Sequence, residues 1–109
     1  MTAKTIVERR LARRDIEAAV DHYFSKAGEA VALGFVEALE TAYRFISDHP
    51  AAGSARYAFE LNLPDLRCWR LQRFPYLLLY VERANVVEVW RVLHGHSDIP
   101  AWMRDADVD

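Results

Sequence analysis

The chain has 109 residues, of which 52% are hydrophobic and 28% are charged, and its net charge is −2. These values exclude an intrinsically disordered chain and leave room for one domain with one core. The charge balance also excludes a strongly basic nucleic-acid-binding protein. The single cysteine, Cys68, excludes an internal disulfide and a zinc site made of several cysteines.

The sequence carries no sign of export or of membrane insertion. The N-terminal segment MTAKTIVERRLARR lacks the apolar run of a signal peptide, and no stretch approaches the length of a membrane-spanning helix. We therefore expect a cytoplasmic protein. A single domain is expected over residues 1–104, followed by a short acidic tail over residues 105–109.

The N-terminal half predicts one short strand and two amphipathic helices. Thr5–Glu8 has the composition of a strand, and apolar residues recur at helical spacing over residues 12–26 and 29–47. Gly28 separates the two helices, and Pro50 ends the second. The predicted apolar stripes consist of Ile16, Ala19, Val20, Tyr23 and Phe24 in the first helix, and of Val31, Phe35, Ala38, Leu39, Ala42, Phe45 and Ile46 in the second.

The C-terminal half predicts a three-stranded meander. Residues 51–65 form an irregular segment with a short helix or extended piece, and residues 66–72 alternate as a strand. Residues 77–81 and 86–93 form two strands joined by a polar connection, and both are apolar on each face, as in the middle of a sheet. The predicted fold is therefore α+β, with a helix hairpin packed on one face of a small, mostly antiparallel sheet of three to four strands.

The end of the last strand is the most distinctive part of the sequence. It carries a cluster of aromatic and basic side chains, namely Trp90, Arg91, His94, His96 and Trp102. The segment RFPYLLLY from Arg73 to Tyr80 and the segment RVLHGHSDIP from Arg91 to Pro100 resemble the ParE branch of the ParE/RelE toxin superfamily. Asp15 and the DHP segment followed by Gly53 fit the same family, whereas Ser97 stands where ParE-like chains usually carry a basic residue.

The resemblance implies the toxin component of a type II toxin–antitoxin module. A ParE-like toxin is expected to inhibit bacterial growth by poisoning DNA gyrase. It is also expected to be neutralised by a cognate antitoxin, a ParD-like ribbon-helix-helix protein, in a hetero-oligomer. A RelE-like ribosome-dependent mRNA endoribonuclease and a non-toxic antitoxin-binding module remain alternatives, because a fold does not determine function. Sequence-specific DNA binding, membrane association and a cofactor are not expected.

A metal-independent nuclease would need an acid or base at the 2′-hydroxyl and cations around the phosphate. The side chains that would supply them here are Arg67, Arg73, Arg91 and His94. However, no tyrosine follows Tyr80, and the predicted sheet lacks lysines. We therefore expect a toxin that binds its target and has no catalytic residues. His94 and His96 do not predict a metal site, because a third ligand is not evident.

The candidates for contacting the target or the antitoxin are Arg9, Arg10, Arg13, Trp69, His96, Trp102 and Met103. The arginines at the start of the first helix either meet acidic antitoxin residues or form a solvated helix end. Trp102 either docks on the protein body or belongs to an interface. Trp69 either contacts a partner or belongs to the core or the sheet face.

Two further expectations concern the sheet. Arg91 is expected to pair with a carboxylate such as Asp98 or Glu88, because an unpaired buried charge is unfavourable, and His94 is expected to bond to the backbone.

Several apolar side chains of the sheet are expected to need cover, namely Leu78, Tyr80, Val87 and Val89. An antitoxin could provide it with an amphipathic helix beside the helix hairpin and a strand at the sheet edge.

Overall fold

A mixed four-stranded sheet forms the centre of the computed structural model, which describes residues 3–104. Its strands are β1 (Thr5–Glu8), β2 (Leu66–Arg70), β3 (Tyr76–Glu82) and β4 (Val86–His94), in the order β1-β4-β3-β2. The strands β2, β3 and β4 form the predicted antiparallel meander, whereas β1 runs parallel to β4. The two apolar strands β3 and β4 therefore occupy the middle of the sheet. The predicted acidic tail lies outside the described residues.

Two long helices cover one face of this sheet. The helices α1 (Arg10–Ala27) and α2 (Glu29–Asp48) form the predicted hairpin. Gly28 joins them with a φ of 92°, a backbone conformation that favours glycine. The core between hairpin and sheet consists of Ala12, Ala19, Phe35, Leu39, Ala42, Ile46, Leu71, Leu78, Tyr80, Val87, Val89 and Val92. Among residues 3–104, no helix is long and apolar enough to cross a membrane.

Short helices cover the other face of the sheet. A turn of 3₁₀ helix at Pro50–Ala52 and the helix α3 (Arg56–Glu60) follow α2, and the helix α4 (Ile99–Met103) follows β4. The apolar side chains of α3 and α4 close a second core, which contains Ala58, Leu66, Cys68, Leu77, Leu79, Val81, Trp90, Leu93, Ile99 and Met103. The strands β3 and β4 are thus buried on both faces, which explains their continuous apolar sequence.

The side chains that the sequence predicts to need a partner's cover are buried instead, so this prediction is wrong. They are Leu78, Tyr80, Val87 and Val89, each with 0% exposure. Alternation along β3 and β4 directs them to the face that the helix hairpin covers. Apolar surface lies elsewhere: Phe24 is 58% exposed and Phe45 is 40% exposed, although their helical spacing predicts burial.

The hydroxyl of Tyr80 fixes the segment between α2 and α3 to the sheet. This hydroxyl accepts a hydrogen bond from the backbone N–H of Gly53 at 3.0 Å and donates one to the carbonyl oxygen of Pro50 at 2.8 Å. Arg67 on β2 donates to the carbonyl oxygen of Gly53 at 2.9 Å. A side chain at position 53 would collide with the Tyr80 hydroxyl, so the close approach requires glycine.

Candidate functional site

A buried ion pair joins the first helix to the last strand. Arg91 in β4 is 5% exposed. Its guanidinium donates to both carboxylate oxygens of Asp15 in α1, from Nε at 2.7 Å and from Nη2 at 2.8 Å. The backbone N–H of Val92 donates to the same carboxylate at 3.0 Å. Charge-assisted, bidentate hydrogen bonds of this kind are strong, and the pair therefore fixes α1 against the sheet.

The same guanidinium holds the C-terminal helix. Arg91 Nη1 donates to the carbonyl oxygen of Trp102 at 2.7 Å, and the guanidinium carbon lies 5.5 Å from the centre of the Trp102 ring. The expected pairing of Arg91 with a carboxylate is confirmed, but the carboxylate is that of Asp15 and not that of Asp98 or Glu88, which were named as examples. Asp98 instead caps α4, where its carboxylate accepts a backbone hydrogen bond at 3.3 Å.

A second polar cluster lies where β1 ends and α1 begins. The carboxylate of Glu88 accepts hydrogen bonds from three donors, namely Arg9 Nη2 at 3.4 Å, Arg83 Nε at 3.1 Å and Trp90 Nε1 at 3.2 Å. The guanidinium of Arg9 also lies over the Trp90 ring, 4.0 Å from its centre, in a cation–π contact. Arg9 is thus held in place by both a carboxylate and an aromatic ring.

Opposing effects act on the pKa of the Glu88 carboxyl. Partial burial raises this pKa, because it disfavours the charged form. Hydrogen bonds from Trp90 and Arg83, together with the positive charges of Arg9 and Arg83, act in the other direction and leave the pKa below its ordinary value of 4.5. The folded protein therefore stabilises the ionised form of Glu88.

The other basic candidates lie on the first turn of α1. Arg13 is exposed, and its Nη1 donates to the carbonyl oxygen of Glu8 at 2.9 Å. Arg10 is exposed as well. Arg9, Arg10 and Arg13 together form a positive surface beside the edge strand β1, and we call it the basic surface. A positive surface of this kind can attract acidic groups of a ligand or partner.

The two histidine candidates lie at the end of β4. His94 is half-buried, and its Nδ1 accepts a hydrogen bond from the backbone N–H of His96 at 3.1 Å, which matches the expected bond to the backbone. The ring centres of the two histidines lie 5.2 Å apart, and that of Tyr76 lies 5.3 Å from that of His94. In the described part of the chain, no group of three or more His, Cys, Asp or Glu side chains is placed to hold a metal ion.

The side chains considered for a nuclease have different environments. Arg91 belongs to the buried ion pair, and Arg67 is bound to the carbonyl oxygen of Gly53. Arg73 is exposed in the turn between β2 and β3 and has a positive φ of 68°. His94 contacts Tyr76 and His96 at the end of β4. Arg67, Arg91 and His94 are thus each engaged by a hydrogen bond within the protein.

The remaining binding candidates differ in exposure. Trp69 on β2 is half-buried and stacks on Phe45 of α2, with ring centres 4.7 Å apart. Trp102 is 53% exposed, whereas Met103 is 2% exposed and belongs to the second core. The sequence reasoning missed Phe45 as a surface residue, because its spacing places it with the buried residues of α2.

A groove between α2 and β2 lies beside these stacked rings. It encloses about 170 Å³ and is lined by Ala38, Thr41, Ala42, Phe45, Trp69 and Gln72. We call it the α2–β2 groove. Its floor is made of small side chains and its wall of two aromatic rings, so that it can accept an apolar side chain from a partner.

Comparisons with known proteins agree with this architecture. The family model described as the ParE toxin of the type II toxin–antitoxin system, parDE, matches residues 6–99. A chain in the solved structure "Chromosomal ParDE TA system from P. aeruginosa" has 20% sequence identity to this chain and a TM-score of 0.70, over 84% of this chain and 96% of that one. At this identity, the similarity shows a shared fold. No curated protein matches the chain significantly. Because the family model extends from β1 to the start of α4, the chain belongs to the ParE toxin family of type II toxin–antitoxin systems.

Proposed function

We propose that this ParE-family chain inhibits bacterial growth by binding and poisoning DNA gyrase in the cytoplasm. We further propose that a ParD-like ribbon-helix-helix antitoxin neutralises it in a hetero-oligomeric complex. The observation that carries the proposal is the match of the ParE toxin family over residues 6–99. The similar solved structure is that of a chromosomal ParDE system, which supports an antitoxin partner.

The α2–β2 groove supports the antitoxin as a partner. Its apolar wall includes Phe45, which is 40% exposed and therefore loses contact with water when a partner covers it. A partner helix with an apolar face can place one side chain in such a groove and lay the next turn along α2. The groove lies beside the helix hairpin, where the sequence places an antitoxin helix. We infer that the amphipathic helix of the antitoxin docks here.

The basic surface supports the same partner. Arg9 is already oriented by Glu88 and Trp90, and Arg13 by the carbonyl oxygen of Glu8. Oriented arginines lose less side-chain freedom when they bind a carboxylate than mobile ones do. Acidic residues of the antitoxin would therefore find partly preorganised partners at the start of α1.

The contacts of the candidate catalytic residues favour target binding over RNA cleavage. The guanidinium of Arg91 is engaged by Asp15 and by the Trp102 carbonyl oxygen. The guanidinium of Arg67 is engaged by the carbonyl oxygen of Gly53. Stabilisation of a cleaving phosphodiester needs cations aimed at the phosphate, and these two arginines are directed into the protein.

The proposal is tested by gyrase supercoiling with the purified chain, freed from copurifying antitoxin, over a concentration series. We expect inhibition with trapped, cleaved DNA, and we expect the antitoxin to restore supercoiling. Relaxation of DNA by a type I topoisomerase serves as the control and should be unaffected. If the folded chain leaves gyrase active but cleaves mRNA on ribosomes, the RelE-like alternative replaces the proposal. If it does neither, the chain is a non-toxic antitoxin-binding module.

A further inference from the structure

Five side-chain rings form a continuous row at one corner of the molecule. The row consists of His22 and Tyr23 from α1, Tyr76 at the start of β3, His94 at the end of β4, and His96 in the turn before α4. Successive ring centres in this order lie 5.3, 6.2, 5.3 and 5.2 Å apart. We call these five residues the ring row. It joins α1, β3 and β4, and none of its residues lines the α2–β2 groove.

The core holds the middle of the ring row and leaves its ends exposed. Tyr23 and Tyr76 both contact the buried ring of Phe35, with ring centres 5.7 and 5.1 Å away. Their positions are therefore fixed by the packing of the first core. The rings at the two ends, His22 and His96, are exposed to solvent. Packing thus holds the two tyrosine rings in place, and the histidine rings at the ends of the row are open to solvent.

Two exposed arginines belong to segments that adjoin the ring row. Arg70 ends β2, and a Cβ atom added at Gly95 would lie 3.9 Å from its Nη1, which places the guanidinium against the turn after β4. Arg73 precedes Phe74, whose ring centre lies 5.1 Å from that of Tyr23. Within residues 3–104, neither arginine forms an ion pair, in contrast to the arginines of the two polar clusters. The two guanidinium groups are therefore not held by a carboxylate of the described residues and can contact a ligand.

The combination of aromatic rings with arginines that form no ion pair suits one class of ligand, namely unpaired nucleotides. Unpaired nucleotides expose both a flat base that stacks on a ring and a phosphate that binds arginine. We propose that the ring row, with Arg70 and Arg73, binds a single-stranded stretch of nucleic acid without regard to its sequence. The rings supply stacking, for which every base offers a π face. The two guanidiniums neutralise backbone phosphates.

Binding is expected for unpaired strands only, and no bond is made or broken. In a duplex the base faces are already stacked on each other, so a protein ring has no free face to contact. The inference goes beyond the proposed function, because it needs neither gyrase nor the antitoxin. A negative result in the gyrase assay therefore leaves the nucleic-acid proposal open, and a negative result in the nucleic-acid binding assay leaves the gyrase proposal open.

The test is fluorescence anisotropy with the purified full chain and labelled oligonucleotides of about 12 nucleotides, a length within the usual range for single-strand sites. The probes are oligo(dT), oligo(U) and a duplex of the same length. We expect both single strands to bind more tightly than the duplex. His96→Ala should weaken single-strand binding about tenfold, since it removes one stacking ring. The double change Arg70→Ala and Arg73→Ala should lower the slope of log K against log salt by about 1.4.

The control is Arg44→Ala, which removes one positive charge from an exposed position on α2, away from the ring row. It should leave affinity within about twofold of the unchanged chain. Thermal melting of each variant verifies that it is folded. The proposal is overturned if the duplex binds as tightly as the single strands, or if Arg44→Ala weakens binding as much as the changes at the corner do.

Discussion

Asp15 and Arg91 lie 76 residues apart in the sequence and meet in the interior of the protein. Neither charge is stable there without the other, because an unpaired buried charge lacks the solvation that water would provide. Arg91 also binds the carbonyl oxygen of Trp102, so that one side chain joins α1, β4 and α4. The pair is therefore a structural centre rather than a site for a ligand.

Removal of either partner should destabilise the fold severely. We expect Arg91→Ala and Asp15→Ala each to lower the free energy of unfolding by about 3–5 kcal/mol, measured by urea denaturation. The control is Arg83→Ala, whose side chain is 45% exposed in its ion pair with Glu88. Exposed pairs contribute about 1 kcal/mol or less. Equal losses in all three variants would contradict this interpretation of Arg91.

Glu88 should make the stability depend on acid pH. Its pKa in the folded protein lies below the ordinary value of 4.5, so the unfolded chain binds this proton more readily than the folded chain does. The contribution of Glu88 to stability is therefore present above about pH 4.5 and is lost as the pH falls through the folded pKa.

We expect Glu88→Gln to reduce the loss of stability between about pH 5 and about pH 3, measured by urea denaturation at a series of pH values. The control is Glu60→Gln on α3, an exposed position that forms no ion pair among residues 3–104. This control should keep the original pH dependence. A Glu88→Gln variant with an unchanged profile would show that the cluster does not favour the ionised carboxylate.

At the scale of elements, the turn between the helices depends on a backbone conformation. Gly28 has φ 92° and ψ 175° and lies between α1 and α2, with no atom near the position of a Cβ. Strain rather than crowding therefore opposes a side chain there. Gly34 is different, because it lies inside α2, and its Cβ would make an ordinary contact at 3.6 Å with the Phe74 ring.

The two glycines should respond to alanine in opposite directions. We expect Gly28→Ala to lower the free energy of unfolding by about 1–3 kcal/mol through backbone strain. We expect Gly34→Ala to raise it by up to about 1 kcal/mol, because alanine is the better helix former. Urea denaturation of both variants measures the difference. An equal loss of unfolding free energy in both variants would contradict this explanation. It would show that packing of the hairpin on the sheet, and not the conformation of the turn, determines the effect of alanine at both positions.

At the scale of the whole molecule, the two cores leave separate surfaces for separate partners. We propose the α2–β2 groove and the basic surface as antitoxin contacts, and the ring row with its two arginines as a contact for nucleic acid. The sheet itself is closed on both faces in its middle, since β3 and β4 carry the buried residues of both cores. We therefore expect a partner to bind at the rims of this fold and not to complete its core.

Changes in the α2–β2 groove should weaken the toxin–antitoxin complex. We expect Phe45→Ser to lower antitoxin affinity by about 2 kcal/mol, because it removes an apolar wall of the docking site. Phe59→Ser is the matched control, since this phenylalanine is 97% exposed on α3 and lies outside the groove. Calorimetric titration with the antitoxin measures both. A similar loss of affinity for both variants would contradict docking in the groove.

The four strands and the two long helices could be predicted from the sequence, because they follow from local patterns, whereas the short helix α4 was not predicted. The helix expected over residues 29–47 is observed over Glu29–Asp48, and the hairpin strands lie at the expected positions. The short segments from Arg73 to Tyr80 and from Arg91 to Pro100 already indicated the family, and the family match confirms it. Helical and strand periodicity depend on neighbouring residues alone, so they can be recognised without knowing the fold.

Only the tertiary structure decided which distant residues meet. Local spacing favoured Asp98 or Glu88 for Arg91, whereas packing of α1 on β4 brings Asp15 to it. Periodicity placed Phe45 among the buried residues, but packing left it exposed beside Trp69. The sequence by itself thus determined the strands, the two long helices, the family and the candidate residues. The register of the strands and the packing of the helices decided their partners, because those contacts join segments whose separation in sequence says nothing about their distance in space.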